Sequence, residues 1–205
     1  MDWITVANEL GPYLQQGDLD HCIQRVTSIL KGLPNSPYHV VLDMDFTNDP
    51  RSVAAYFDNF VASEWSYFDL AALYTETNGF SINPDRWYFD IFGYESYGGH
   101  EDYDWLAGWD VSASDSVTLT GMEKLQQVYQ YHRDTEYFRI LSYGGDPEVQ
   151  QVRIAVDFCD LLIVLRFQNL IRRSVPFMEH VRVPILATSH EYDLIYETRP
   201  VEKNT

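Results

Sequence analysis

Apolar residues Trp3, Ala7, Leu10 and Leu14 recur at helical spacing behind Asp2, and Gly17 closes the segment. Asp18 opens a second such run, Leu19, Cys22, Ile23, Val26, Ile29 and Leu30 on one face, which Gly32 and Pro34 stop. The pattern predicts a helical hairpin at the start of the chain. From Tyr38 to Phe46 the residues are apolar and β-branched and end in Asp43-Met44-Asp45, which predicts a buried strand. Asp49-Pro50 predicts the cap and first-turn proline of a third helix, with Val53, Phe57, Phe60 and Val61 facing inward.

Between Leu70 and Tyr94 the pattern becomes that of a strand meander. Asn78-Gly79 predicts a two-residue hairpin turn and Asn83-Pro84-Asp85 a second turn. Trp87, Phe89 and Ile91 fall on one sheet face, Tyr88, Asp90 and Phe92 on the other. Residues 93–110 hold four glycines and read as a loop, with a short strand at Val117 to Leu119. Thr120 to Glu123 has the form of a capping box for a helix running to about His132. Tyr137 to Tyr143 predicts a strand, and Gly144-Gly145-Asp146-Pro147 the passage from loop to helix. Val149 to Arg173 is apolar round most of its circumference, as a central helix requires, although Leu161 to Phe167 also fits a strand. Val181 to Leu186 and Tyr192 to Tyr196 predict a strand pair, and 199–205 a flexible tail.

The sequence shows no repeat, linker or low-complexity tract. The expected architecture is a single α+β domain over 1–205: an N-terminal helical hairpin and a mixed or antiparallel sheet of about five to seven strands packed with helices. With 45% hydrophobic and 15% aromatic residues, a chain of 205 residues has the means to build a core.

Charge narrows the choice of partner. Thirty-one acids against 14 bases leave a net −17, and residues 1–145 carry 22 of those acids with only 7 bases. Binding to nucleic acid or to an anionic membrane rests on cations, so neither is expected. The longest apolar run, Leu161 to Leu165, falls far short of the ~20 residues of a membrane span. An acid at position 2 stands where a signal peptide carries a base, and Cys22 and Cys159 frame no disulfide scaffold, so a cytoplasmic location is expected.

Two segments carry candidate chemistry. Val40-Val41-Leu42-Asp43-Met44-Asp45-Phe46-Thr47 resembles the first motif of haloacid-dehalogenase-type phosphatases. The resemblance implies a magnesium-dependent phosphohydrolase with Asp43 as nucleophile and Asp45 as acid/base. The family also uses a later Ser or Thr, for which Ser142 stands, and a lysine, but none occurs between Lys124 and Lys203. No nucleophile elbow or phosphate-cradling loop accompanies it, and no cofactor is expected.

The second segment is 85–115, where eight acids meet one base, Arg86, and nine aromatic residues. His100-Glu101-Asp102-Tyr103-Asp104 has the oxygen donors of a hard-cation site but not the spacing of a calcium loop, and no metal is expected there. Carboxylates left in water beside aromatic anchors instead describe a contact surface for a cationic protein. Glu95, Tyr97, His100, Glu101, Asp102, Tyr103 and Asp104 are the candidate contact residues. In size, charge and aromatic-acidic patterning the chain is similar to bacterial immunity proteins. That resemblance implies a non-catalytic inhibitor that occludes a basic toxin or nuclease domain.

Overall fold

The computed structural model describes residues 2–64, 67–190 and 192–200. Helices α1 (Trp3–Gln15) and α2 (Leu19–Gly32) form the hairpin, each capped by an aspartate: Asp2 accepts from Thr5 N at 2.9 Å and Asp18 from His21 N at 3.1 Å. Helix α3 (Pro50–Glu64) follows and buries Val53, Phe57, Phe60 and Val61 as its spacing requires. Strands β1 (Ala72–Thr77) and β2 (Tyr88–Tyr94) pair antiparallel. Two-residue strands β3 (Val111–Ser112) and β4 (Val117–Thr118) add to β2. Helices α4 (Glu123–Asp134), α5 (Tyr137–Tyr143) and α6 (Pro147–Ser174) lead to β5 (Ile185–Ser189) and β6 (Tyr196–Thr198). The sheet runs β3-β2-β1-β5-β6 with β4 beside β2, and β1 and β5 are parallel, so the fold is α+β with a mixed sheet of six strands.

The long run from Leu161 to Phe167 is helical. α6 extends over 28 residues, about 42 Å at the helical rise, and buries Leu161 to Phe167 without a break. Asp146 caps it through Glu148 N at 2.8 Å and Pro147 occupies its first turn. It lies against α1, α2, α3, α5 and β5, which accounts for the unbroken burial of Leu161 to Phe167. Among the described residues, no helix is long and apolar enough to cross a membrane.

Several local expectations are corrected. Pro37–Asp43 is a 3-10 helix, not part of a strand. Its fully buried residues, Tyr38 and Val41, lie three apart, one turn of a 3-10 helix, instead of alternating. Ser36 and His39 close its first turn, with Ser36 N donating to Nδ1 at 3.1 Å. The buried Arg166 guanidinium donates to the carbonyls of Val41 and Leu42, occupying acceptors that a sheet would otherwise take. Tyr137 to Tyr143 is likewise helical, with Phe138 and Leu141 inward.

Asn78-Gly79 is no two-residue hairpin: ten residues join β1 to β2. Asn78 closes that connection, accepting from Tyr88 N at 2.8 Å, and the turn at Asn83 to Arg86 forms within it. The capping box at Thr120 does not form, because its hydroxyl pairs with Asn48 and Thr47 while Glu123 accepts from Gly121 N instead. Each strand of the last pair starts four residues later than predicted, at Ile185 and Tyr196.

The sheet has two unlike faces. Leu73, Phe89, Ile91, Ile185 and Ala187 face the helices and are fully buried, as the spacing of Trp87, Phe89 and Ile91 requires. The other face carries Ala72, Tyr74, Phe92, Tyr94 and Leu186, onto which a short 3-10 helix, Asp104–Ala107, packs Trp105 and Leu106.

Candidate functional site

That second face is roofed by the acidic loop. Ala72, Tyr94 and Leu186 form its buried floor, onto which Tyr97, Tyr103, Trp105, Leu106 and Ile195 pack. Tyr94 Oη donates to Leu106 O at 2.7 Å, and its ring meets Trp105 edge to face at 4.9 Å between centroids. Trp105 Nε1 reaches back to Gly99 O at 3.3 Å. Gly98 permits this closure, since a Cβ there would stand 2.4 Å from the Trp105 indole. Gly99 takes a positive φ of 86°, which a side chain would oppose.

The far end of the loop is tied to β6. Glu197, only 13% exposed, accepts from Tyr97 Oη at 2.6 Å, while Arg199 Nε lies 2.9 Å and His100 Nδ1 3.3 Å from its oxygens. Arg199 also stands over the Tyr97 ring, 5.7 Å from its centroid. Burial and the Glu197 carboxylate push the Tyr97 phenol up to about 12, and the same carboxylate raises the Arg199 guanidinium. Tyr97 is therefore held as a hydrogen-bond donor.

The seven candidate residues divide by role. Tyr97, Tyr103 and His100 point to the sheet or to Glu197 and fix the loop. Glu95, Glu101, Asp102 and Asp104 are exposed, and among the described residues none of the four ion-pairs with a base. Asp102 Oδ1 accepts from Asp104 N at 2.8 Å, which sets the turn between two of them. Of the remaining aromatics, Trp87 is sealed in the core and Trp109 stays half exposed against Phe92.

Chain comparison gives the site no precedent. The chain matches no family model, no curated protein and no solved structure.

The sequence did not point to Glu197, Arg199, Ile195 or the flank of α1. Arg199 falls in the predicted tail, yet Glu197 holds it; residues 201–205 of that tail lie outside the described residues. Beside the loop, two hollows of about 460 Å³ and 560 Å³ share Gln15, Tyr103 and Ile195 and run between α1 and the 193–199 segment.

The other candidate chemistry has a different setting. Asp43 and Asp45 are exposed where the 3-10 helix ends, not at the end of a strand, and Asp45 accepts from the adjacent Phe46 N. Ser142 sits on α5 and donates to Phe138 O. The strand-end geometry implied by the phosphatase motif is absent. Among the described residues, no group of three or more His, Cys, Asp or Glu is arranged to hold a metal ion. Both cysteines are buried, and burial pushes the Cys22 thiol up to about 12 and Cys159 well above its ordinary value.

Proposed function

We propose that this chain is a non-catalytic binding protein for a basic protein partner, with the 95–104 loop as its contact surface. The observation that carries the reading is the separation within the loop: aromatic residues and His100 anchor it, and four exposed carboxylates project from it without a base partner among the described residues. A cluster of unpaired anions lowers the net stability of the free chain but raises the encounter rate with a cationic surface. Because the loop is already pinned, little ordering cost remains to be met on binding.

The partner class in best accord with a net charge of −17 is a basic toxin or nuclease domain, inhibited by covering the cations that hold its substrate. The decisive experiment compares the tagged chain with a variant carrying Glu101→Lys, Asp102→Lys and Asp104→Lys in the native cell. A partner of pI above about 9 retained by the first and lost by the second supports the reading. Equal retention by both, with an unchanged salt dependence, overturns it.

A further inference from the structure

The flank of α1 that faces the 193–199 segment is built from two rows at four-residue spacing. Trp3, Ala7 and Gly11 form one and Ile4, Asn8 and Pro12 the other. Ala7 and Gly11 keep the first row low, and a Cβ added at Gly11 meets nothing within 4 Å, so the middle of this wall opens into empty space. Opposite stand Tyr103 and Ile195, and the two hollows that share these residues make one groove along α1. Thirteen helical residues span about 20 Å, the length of roughly six residues of extended chain.

Two further features describe what such a groove accepts. Pro12 lies inside α1 and has no N–H, so the carbonyl of Asn8 lacks its usual helical donor, and both residues line the groove. Exposed acids lie beside it: Asp193 lines one hollow, and Glu101 and Asp102 fall in sequence between His100 and Tyr103, which line the groove. The two bases among the described lining residues, His100 and Arg199, both sit against Glu197.

We infer that this groove seats an extended segment of the basic partner, with alternate apolar side chains lying over Ala7 and Gly11 and the intervening Lys or Arg residues reaching the acids of the rim. The inference rests on the loop reading above and deepens it, since the loop supplies one wall and steers the partner toward it. An apolar guest gains area over the Trp3, Ile195 and Tyr103 surfaces, while a purely cationic one gains only the rim. Alternation of the two side-chain types follows from the two-residue period of extended chain.

Two fluorescein-labelled heptapeptides test it: one alternating Lys and Leu, the other heptalysine. Gly11→Leu places a side chain in the groove, its Cβ meeting nothing within 4 Å, and replaces a poor helix former by a good one, so thermal unfolding reports that the fold is kept. The expected result is that Gly11→Leu weakens the Lys/Leu peptide about tenfold or more and leaves heptalysine unchanged, the loss matching one buried apolar side chain. The Glu101→Lys, Asp102→Lys, Asp104→Lys variant weakens both peptides. Lys/Leu binding that Gly11→Leu does not alter, or that never exceeds heptalysine binding, overturns the groove inference while the loop reading stands. Heptalysine binding untouched by the loop variant, with Lys/Leu binding still lost in Gly11→Leu, overturns the loop reading and leaves the groove.

Discussion

Tyr97 and Glu197, a hundred residues apart, share a 2.6 Å hydrogen bond in which the phenol donates to Oε2. The bond joins the acidic loop to an edge strand, so it governs how rigidly the carboxylates are presented. Tyr97→Phe removes the donor but leaves His100 and Arg199 beside Glu197, and a cost of about 1 kcal/mol in urea denaturation is expected. Amide hydrogen exchange over 96–104 should accelerate more than exchange in α6. Unchanged exchange in that loop would show that the bond does not restrain it.

Salt should act on association more than on dissociation. Glu95, Glu101, Asp102 and Asp104 are exposed, and exposed charges are screened beyond about 10 Å at 0.1 M ionic strength. Raising salt from about 0.05 M to about 0.5 M is expected to slow association with heptalysine about tenfold or more. Stopped-flow fluorescence of the labelled peptide measures this directly.

Two acids on α6 predict an inverted pH response. Burial pushes the Asp160 carboxyl up to about 7 and that of Asp157 up to about 6, and Asp160 accepts from the Tyr129 hydroxyl. The folded state therefore keeps protons that the unfolded chain releases near pH 4. Their contribution is fully present below that pH and is lost as pH rises through about 6 to 7. Asp160→Asn can still accept from Tyr129 but cannot ionise. Its stability relative to the unsubstituted chain should rise by on the order of 2 kcal/mol from pH 5 to pH 8, read from urea midpoints at each pH.

Asp58 makes a different demand. Its carboxylate, 8% exposed, accepts from the backbone N–H groups of Glu179, His180 and Val181 at 2.8, 2.7 and 3.2 Å. Asp58→Asn turns a donor toward donors and strands at least one of these amides. A loss of about 2–3 kcal/mol is expected, measured by chemical denaturation, with the groove and loop left in place.

The elements that could be read from the chain are those whose capping and period agree. Asp2, Asp18, Asp49-Pro50 and Asp146-Pro147 each opened a helix as expected, and Trp87, Phe89 and Ile91 turned inward together. The failures at 37–43 and 137–143 share a cause. Both are short segments whose inward residues, Tyr38 and Val41 or Phe138 and Leu141, lie three apart, a spacing that a window of seven residues does not separate from alternation. Arg166, which satisfies the 3-10 helix, lies 125 residues from Val41 and leaves no local trace. The candidate site divides the same way. Its acids and aromatics are contiguous and were visible, whereas Glu197 and the α1 flank reach it only through the sheet order.

That order has a consequence for synthesis. β1 pairs with β5 in parallel, and β6 closes the far side of β5. A nascent chain that has emerged from the ribosome only as far as residue 180 has made the acidic loop but neither strand that completes the sheet beneath it, nor Glu197 to tether it. The loop is therefore tethered only once residue 197 has emerged, and until then a chaperone is the fitting company for the bare edge of β1.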